Sequence, residues 1–144
     1  MMKTSKLAVI LDTNVLLVAL PSHSPYRPIF DQLLSGAYTL IISNEILTEY
    51  EEQISKRYDA QTVSMILGVL GSLPNVRRIT PYFRWRLIIS DPDDDKFADA
   101  AIAANAQLLV TNDHHFDRLK TVDFPRVTLR TARMFLEIVS TLTP

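Results

Sequence analysis

The chain has 144 residues, 47% hydrophobic and 22% charged, with 15 Lys or Arg against 16 Asp or Glu. That length suits one domain with its own core, and a formal net charge of -1 makes no global electrostatic case for a polyanionic partner. Cysteine is absent, which excludes disulfides, thiolate zinc sites and thiol nucleophiles together.

The first residues lead into an apolar run that resembles a short signal sequence. Asp12 and Asn14 interrupt it, and no small-residue cleavage site follows. Residues 7–11 read instead as a buried parallel strand. Ser24-Pro25 opens a helical segment with apolar Ile29, Phe30, Leu33 and Leu34, closed by Gly36. Residues 38–42 read as a second strand. Ser43 or Asn44 caps the next helix, whose stripe is Ile46, Leu47, Tyr50 and Ile54. A further helix is expected over 60–70, ended by Gly71 and Pro74, and a strand over 76–80. The rest reads as a helix over 91–106, strands at 108–111 and 127–129, and a closing helix over 131–139 that presents Met134, Phe135 and Ile138. Strands alternating with helices predict one α/β domain with a parallel sheet covered on both faces. No segment is apolar for long enough to span a membrane, so a cytoplasmic protein is expected.

The acids are unevenly placed. Asp91 suits an N-cap, Pro92 the first helical position, and Asp93 and Asp94 the positive end of the helix dipole. Asp95 and Asp99 are four apart on one helix face, where like charges cost roughly 0.2–0.5 kcal/mol. Asp12 directly follows the first strand, Asp113 follows the strand at 108–111, and Glu49 lies on the helix after the second strand. In an open parallel sheet, ligands bind beyond the carboxyl ends of the strands. Acids gathered there repel unless a metal or bound protons compensate, and carboxylates without Cys and with few His select Mg²⁺ or Mn²⁺ over zinc. His114 and His115 are adjacent, without the spacing of a helical ligand pair, and are expected on a surface loop.

No acid occurs from 60 to 90, whereas "NVRRITPYFRWRLI" (residues 75–88) mixes Arg77, Arg78, Arg84 and Arg86 with Tyr82, Phe83 and Trp85. Arginines neutralise phosphates and aromatics stack on unpaired bases, although aromatic packing on the core would give the same pattern. Arg118, Lys120, Arg126, Arg130 and Arg133 are further candidates. An aspartate-type phosphatase would need a second Asp two residues after Asp12, where Asn14 stands. A receiver domain would need an acid pair and a strand-end Lys that are missing. A non-catalytic RNA- or protein-binding module is the remaining rival.

Three segments carry a family resemblance: "VILDTNVLL" (residues 9–17), "ISNEILTEYEEQI" (42–54) and "DDDKFADAAIAANAQLLVTNDHHF" (93–116). Together they resemble a PIN domain, more narrowly the PIN-family toxins of toxin–antitoxin systems related to VapC-type ribonucleases. The resemblance implies a three-layer α/β/α sandwich around a mainly five-stranded parallel sheet, and an RNA-cleaving site dependent on Mg²⁺ or Mn²⁺. Residue by residue, it implies Asp12, Glu49, Asp95 and Asp113 as catalytic metal ligands, with Glu45 the rival of Glu49 and Asp94 the rival of Asp95. It assigns supporting places to Asn14 and Thr111, with Asp99 and Asp117 as further supporting acids. Asn112 departs from the small or basic residue common at its position. The resemblance also implies an antitoxin that blocks the acidic cleft, and a homodimer. The helices around Ile46–Ile54 and Val63–Leu70 are the candidate surfaces for these partners. A PIN-fold RNA-processing nuclease outside toxin–antitoxin systems fits the same motifs.

Overall fold

The computed structural model describes residues 6–88 and 91–144, so most of the signal-like start lies outside the described residues. Five short strands, β1 (Ala8–Leu11), β2 (Thr39–Ile42), β3 (Val76–Arg78), β4 (Leu108–Val110) and β5 (Leu129–Arg130), pair in parallel in the order β3-β2-β1-β4-β5. Val9 lies opposite Leu40 on one side and Leu108 on the other. Val9, Ile10, Leu11, Leu40, Ile41, Leu109 and Val110 are buried, as strands covered on both faces must be. Helices α1 (Thr13–Ala19), α2 (Arg27–Leu34), α3 (Asn44–Ser55), α4 (Ala60–Ser72), α5 (Asp95–Ala103) and α6 (Ala132–Ser140) flank the sheet in an α/β/α arrangement. Short 3₁₀ segments at Pro92–Asp94 and His114–Thr121 complete the described elements.

Turn chemistry fixes several boundaries. Gly36 takes φ +85° after α2 and Asn105 takes φ 50° after α5. At each, the next amide reaches back to the helix, Ala37 to Gln32 and Ala106 to Ala101, both at 2.9 Å, which closes a Schellman motif. Ser43 caps α3 by accepting from the Ile46 amide, Asp59 caps α4 and Thr131 caps α6.

The structure differs from the sequence expectations at several points, two of them at strand ends: the last strand is Leu129–Arg130 rather than 127–129, and β3 stops at Arg78 rather than residue 80. Helix α1 was hidden because its apolar residues continue the β1 run without a breaker; Val15, Leu16 and Ala19 are buried in it. The expected helix over 91–106 is a 3₁₀ turn followed by α5, which stops at Ala103. Helix α4 runs through Gly71 to Ser72. In α6 the core-facing residues are Ala132, Phe135 and Val139, while Met134 is 52% exposed.

Strands β1 and β4 are neighbours in space but not in sequence. The winding of the chain therefore reverses between them, which opens a crevice at their carboxyl ends.

Candidate active site

Four acids reach that crevice by different routes. Asp12 is the residue after β1 and the N-cap of α1, and its own amide donates to Val110 at the end of β4 (2.9 Å). Its side chain does not cap α1. Instead Asp12 Oδ2 accepts from the Thr111 hydroxyl at 2.7 Å, and that hydroxyl oxygen accepts the Asp113 amide at 3.0 Å. One buried threonine thus ties the ends of β1 and β4 together. Glu49 sits mid-way along α3, beside the fully buried Tyr50, whose hydroxyl donates to the Leu11 carbonyl. That bond pins α3 to the end of β1, and the Thr13 hydroxyl donates to Glu49 Oε2. Asp94 ends the 3₁₀ turn that leads into α5. A helix returning antiparallel to the strands must start at their carboxyl edge, so its first turn is delivered to the same crevice.

The electrostatics report the convergence. Burial raises the Asp12 carboxyl above its usual value, opposed by the Thr111 hydrogen bond and reinforced by Glu49 and Asp113. Asp94 is pushed up to about 7, first by burial and then by Asp91, Asp12, Asp113 and Glu49. Its Oδ2 is buried with no hydrogen-bond partner, an arrangement that costs free energy unless a proton or a cation completes it. Lys96 is the lysine in the cluster, with its Nζ 2.7 Å from Glu49 Oε1. His115 Nδ1 stands 3.3 Å from Asp113 Oδ1 and 3.8 Å from both Asp91 and Asp94. Asp91, Asp94 and His115 offer ligand atoms within 4.8 Å of one another. Hard oxygen donors, a buried oxygen without a partner and a surplus of like charge are what a site for a hard divalent ion requires.

Asp95 lies elsewhere. Its Oδ1 accepts from the Ile88 amide at 2.8 Å, and Asp99 Oδ1 accepts from the Trp85 amide at 3.0 Å. The two acids, whose like charges the sequence left unexplained, hold the extended segment 79–88 against α5, and burial raises the Asp99 carboxyl. The structure therefore puts Asp94, not Asp95, among the clustered acids, and Asp99 outside them. Glu45 is exposed and pairs with Arg84 at 3.3 Å, leaving Glu49 as the α3 acid in the crevice. Asp117 is exposed between His114 and Lys120, whose hydrogen bonds hold its carboxyl below its usual value. Asn14 is exposed in the first turn of α1.

Sequence reasoning missed Thr13 and Lys96 and put His115 on a plain surface loop. Its ring is half exposed, yet it meets three carboxylates. The lone lysine in "DDDKFAD" was the available signal for Lys96.

Two clefts flank the cluster. One, of about 500 Å³, starts at Thr111 and Asp113 and is lined further on by Lys120, Arg126 and Arg130. The other, of about 420 Å³, is lined by Glu45, Glu49, Glu52, Asp93 and Lys96. Among the candidate arginines, Arg77 donates to the Ala104 carbonyl at 3.0 Å and Arg84 pairs with Glu45, while Arg78 and Arg86 are exposed. The aromatics do not pack into the core: Tyr82 is 95% and Phe83 63% exposed. Phe83 meets Trp85 at 4.6 Å between centroids, and Trp85 meets Phe124 edge-on at 6.2 Å.

Comparison with curated proteins found no match. Among solved structures, that of VapBC2 from Rickettsia felis bound to a DNA fragment from their promoter is similar with a TM-score of 0.60 at 24% identity, covering 87% of this chain and 98% of that one. VapBC-1 from nontypeable Haemophilus influenzae aligns with a TM-score of 0.60 at 15% identity, covering 88% and 99%. PAE2754 from Pyrobaculum aerophilum gives 0.60 at 17%, covering 93% and 90%. These likenesses concern the fold. A family profile described as PIN domain matches residues 8–115, from the start of β1 to two residues past Asp113, and the chain belongs to the PIN domain family.

Proposed function

We propose that the protein is an endoribonuclease that hydrolyses RNA phosphodiesters with Mg²⁺ or Mn²⁺. Asp12, Asp94 and Asp113 would hold the ion, and Glu49 completes the acidic wall. The observation that carries this reading is the buried, unpartnered Asp94 Oδ2 beside three other carboxylates at the sheet's switch point. A bound divalent ion lowers the pKa of water and neutralises charge on the phosphate. The protein's own share is positional. Thr111 holds the Asp12 carboxylate and the Asp113 amide in one frame, Tyr50 anchors the helix that carries Glu49, and the starts of α1 and α5 turn their positive ends toward the acids. No side chain need bond covalently to the substrate.

For substrate grip, the cleft lined by Lys120, Arg126 and Arg130 leads to Asp113, and Phe83, Trp85 and Phe124 form a ring group whose two phenylalanines are exposed. Basic side chains there would neutralise phosphates while the rings stack on unpaired bases. Arg78, Arg84 and Arg86 would extend the grip, with Arg77 bound back to the fold.

The solved relatives include toxin–antitoxin pairs, which supports a toxin blocked by a cognate antitoxin, acting in the cytoplasm. Among the described residues no helix is long and apolar enough to cross a membrane. Of the two helices expected to meet an antitoxin or a second copy, α3 turns Ile46, Tyr50 and Ile54 into the core, while α4 leaves Met65 65% exposed and is the better surface. The deciding experiment is cleavage of labelled RNA by chelator-stripped protein before and after Mn²⁺ is added, with Asp12→Asn and Asp94→Asn as controls. Equal cleavage by all three would end this reading.

A further inference from the structure

We infer that Asp95 and Asp99 are positioning residues for substrate. They clamp residues 85–88 onto α5 so that Phe83, Trp85 and Phe124 form a preset platform for the unpaired bases of single-stranded RNA. The inference rests on the nuclease reading above and deepens it by naming the substrate class and the acids that serve binding.

Residues 79–88 form neither helix nor strand, yet they are firmly tied. The Ile79 amide donates to the Ile42 carbonyl at 2.9 Å, and the Ile88 side chain is buried in the core. Between these anchors the Trp85 amide donates to Asp99 Oδ1 at 3.0 Å, and the Ile88 amide to Asp95 Oδ1 at 2.8 Å. Two like charges one turn apart are unfavourable, the more so because Asp99 is only 6% exposed. What they secure is a short stretch of main chain that includes Arg86 at φ 53°. An arginine adopts that left-handed conformation only where its surroundings enforce it.

The tied stretch presents the rings. Phe83 and Trp85 are two apart in an extended chain and meet at 4.6 Å between centroids, while Arg84 between them turns to Glu45. Phe124 closes the group edge-on to Trp85, and Tyr82, Phe83 and Phe124 are exposed. Large apolar groups gathered in water mark an interaction site. Charge identifies the occupant: residues 75–88 hold four arginines and no acid. Among the described residues, exposed Arg78, Arg86 and Arg126 have no carboxylate partner. Ring faces beside free cations fit unpaired bases joined by phosphates, whereas a duplex keeps its bases stacked on one another. Rings held ready before substrate arrives cost less ordering on binding. Asp95 opens α5 next to Asp94, and Asp99 follows about 6 Å further along the axis, so the platform lies beyond the acids of the crevice.

Trp85 is the sole tryptophan of the sequence, so its fluorescence reports the platform. Wild type, Asp99→Ala and Asp99→Asn are titrated in chelator with a fully methylated, nuclease-resistant oligoribonucleotide, single-stranded and as a duplex. Cleavage of unmodified RNA is then measured with Mn²⁺. The single strand should quench wild type and the duplex should not. Asp99→Ala should weaken single-strand binding by about tenfold or more, the order of one lost base stack. It should raise KM while kcat stays within a few-fold. Asp99→Asn, which keeps an acceptor for the Trp85 amide, should restore binding. On a Phe83→Ala background, Asp99→Ala should add little, which a general loss of stability would not produce. Asp95→Ala repeats the test should Asp99→Ala fold poorly by circular dichroism. Wild-type affinity in folded Asp99→Ala or Asp95→Ala, a kcat loss without a KM change, or equal quenching by duplex would overturn the assignment. So would the absence of quenching in wild type, and intact Mn²⁺-dependent cleavage would then leave the nuclease reading standing. Quenching by the single strand without any Mn²⁺-dependent cleavage would overturn the nuclease reading and keep the platform.

Discussion

The Ile88 amide donates to Asp95 Oδ1 at 2.8 Å, so Asp95 fastens the 79–88 segment to α5 while its neighbour Asp94 stands with Asp12 and Asp113. Asp94→Asn should lower RNA cleavage by at least about a hundredfold, because even the partners of metal ligands typically cost up to that much. Asp95→Asn keeps an acceptor oxygen for Ile88 and should stay within a few-fold of wild type. Asp95→Ala, which orphans that amide, should lose about 1–3 kcal/mol of stability by urea denaturation. The reverse pattern of activities would return the catalytic place to Asp95.

Protonation gives a second test. An unfolded Asp94 releases its proton near 3.8, whereas the folded one keeps it to about 7 because of burial and its acidic neighbours. Between those values the folded chain binds more protons than the unfolded one, so this group makes stability fall as pH rises. Above about pH 7 its effect is constant. In metal-free protein, Tm should therefore drop more steeply across this window for wild type than for Asp94→Asn, and saturating Mn²⁺ should shrink the difference. Parallel curves for the two proteins would contradict the assignment.

Thr111 joins the two strand ends through Asp12 and the Asp113 amide. Thr111→Val should cost about 1 kcal/mol by leaving the half-buried Asp113 amide without its acceptor. It should also weaken Mn²⁺ binding by about tenfold or more in calorimetry, since the Asp12 carboxylate loses its brace. Unchanged Mn²⁺ affinity would remove Thr111 from the site.

Exposed rings give a third kind of test. Phe83→Ala and Phe124→Ala should each weaken binding of single-stranded RNA by about 1–3 kcal/mol in fluorescence anisotropy if they stack on bases. Arg126→Ala should reduce the salt dependence of binding by about one phosphate contact. RNA affinity that ignores salt and both ring removals would take the substrate track away from this side of the protein.

The centre of the sheet was legible because β1, β2 and β4 are short, largely apolar runs bounded by turn residues, and the placement of Asp12 and Asp113 was legible because they lie just past the ends of β1 and β4. The choice between Asp94 and Asp95 was not. Successive residues at a helix start point about 100° apart, and the 3₁₀ turn at Pro92–Asp94 sets which one faces the crevice. The i, i+4 spacing of Asp95 and Asp99 correctly marked one face, but their partners are backbone amides of residues 85 and 88, which leave no trace in composition. For Lys96 the sequence offered its lone position among the acids but not its partner, because Glu49 lies on another helix and only folding brings the two to 2.7 Å.

The strand order has a consequence for synthesis. β1 sits between β2 and β4, so the acid made first waits for the fourth strand before the crevice beside it has a second wall. A ribosome-bound chain that has not yet released Leu108–Val110 carries Asp12, Glu49 and Asp94 but lacks Thr111 to hold Asp12 and Asp113 to join it. A half-made copy therefore has its acids on one side of the crevice only, and the pocket gains its second wall once most of the polypeptide has emerged.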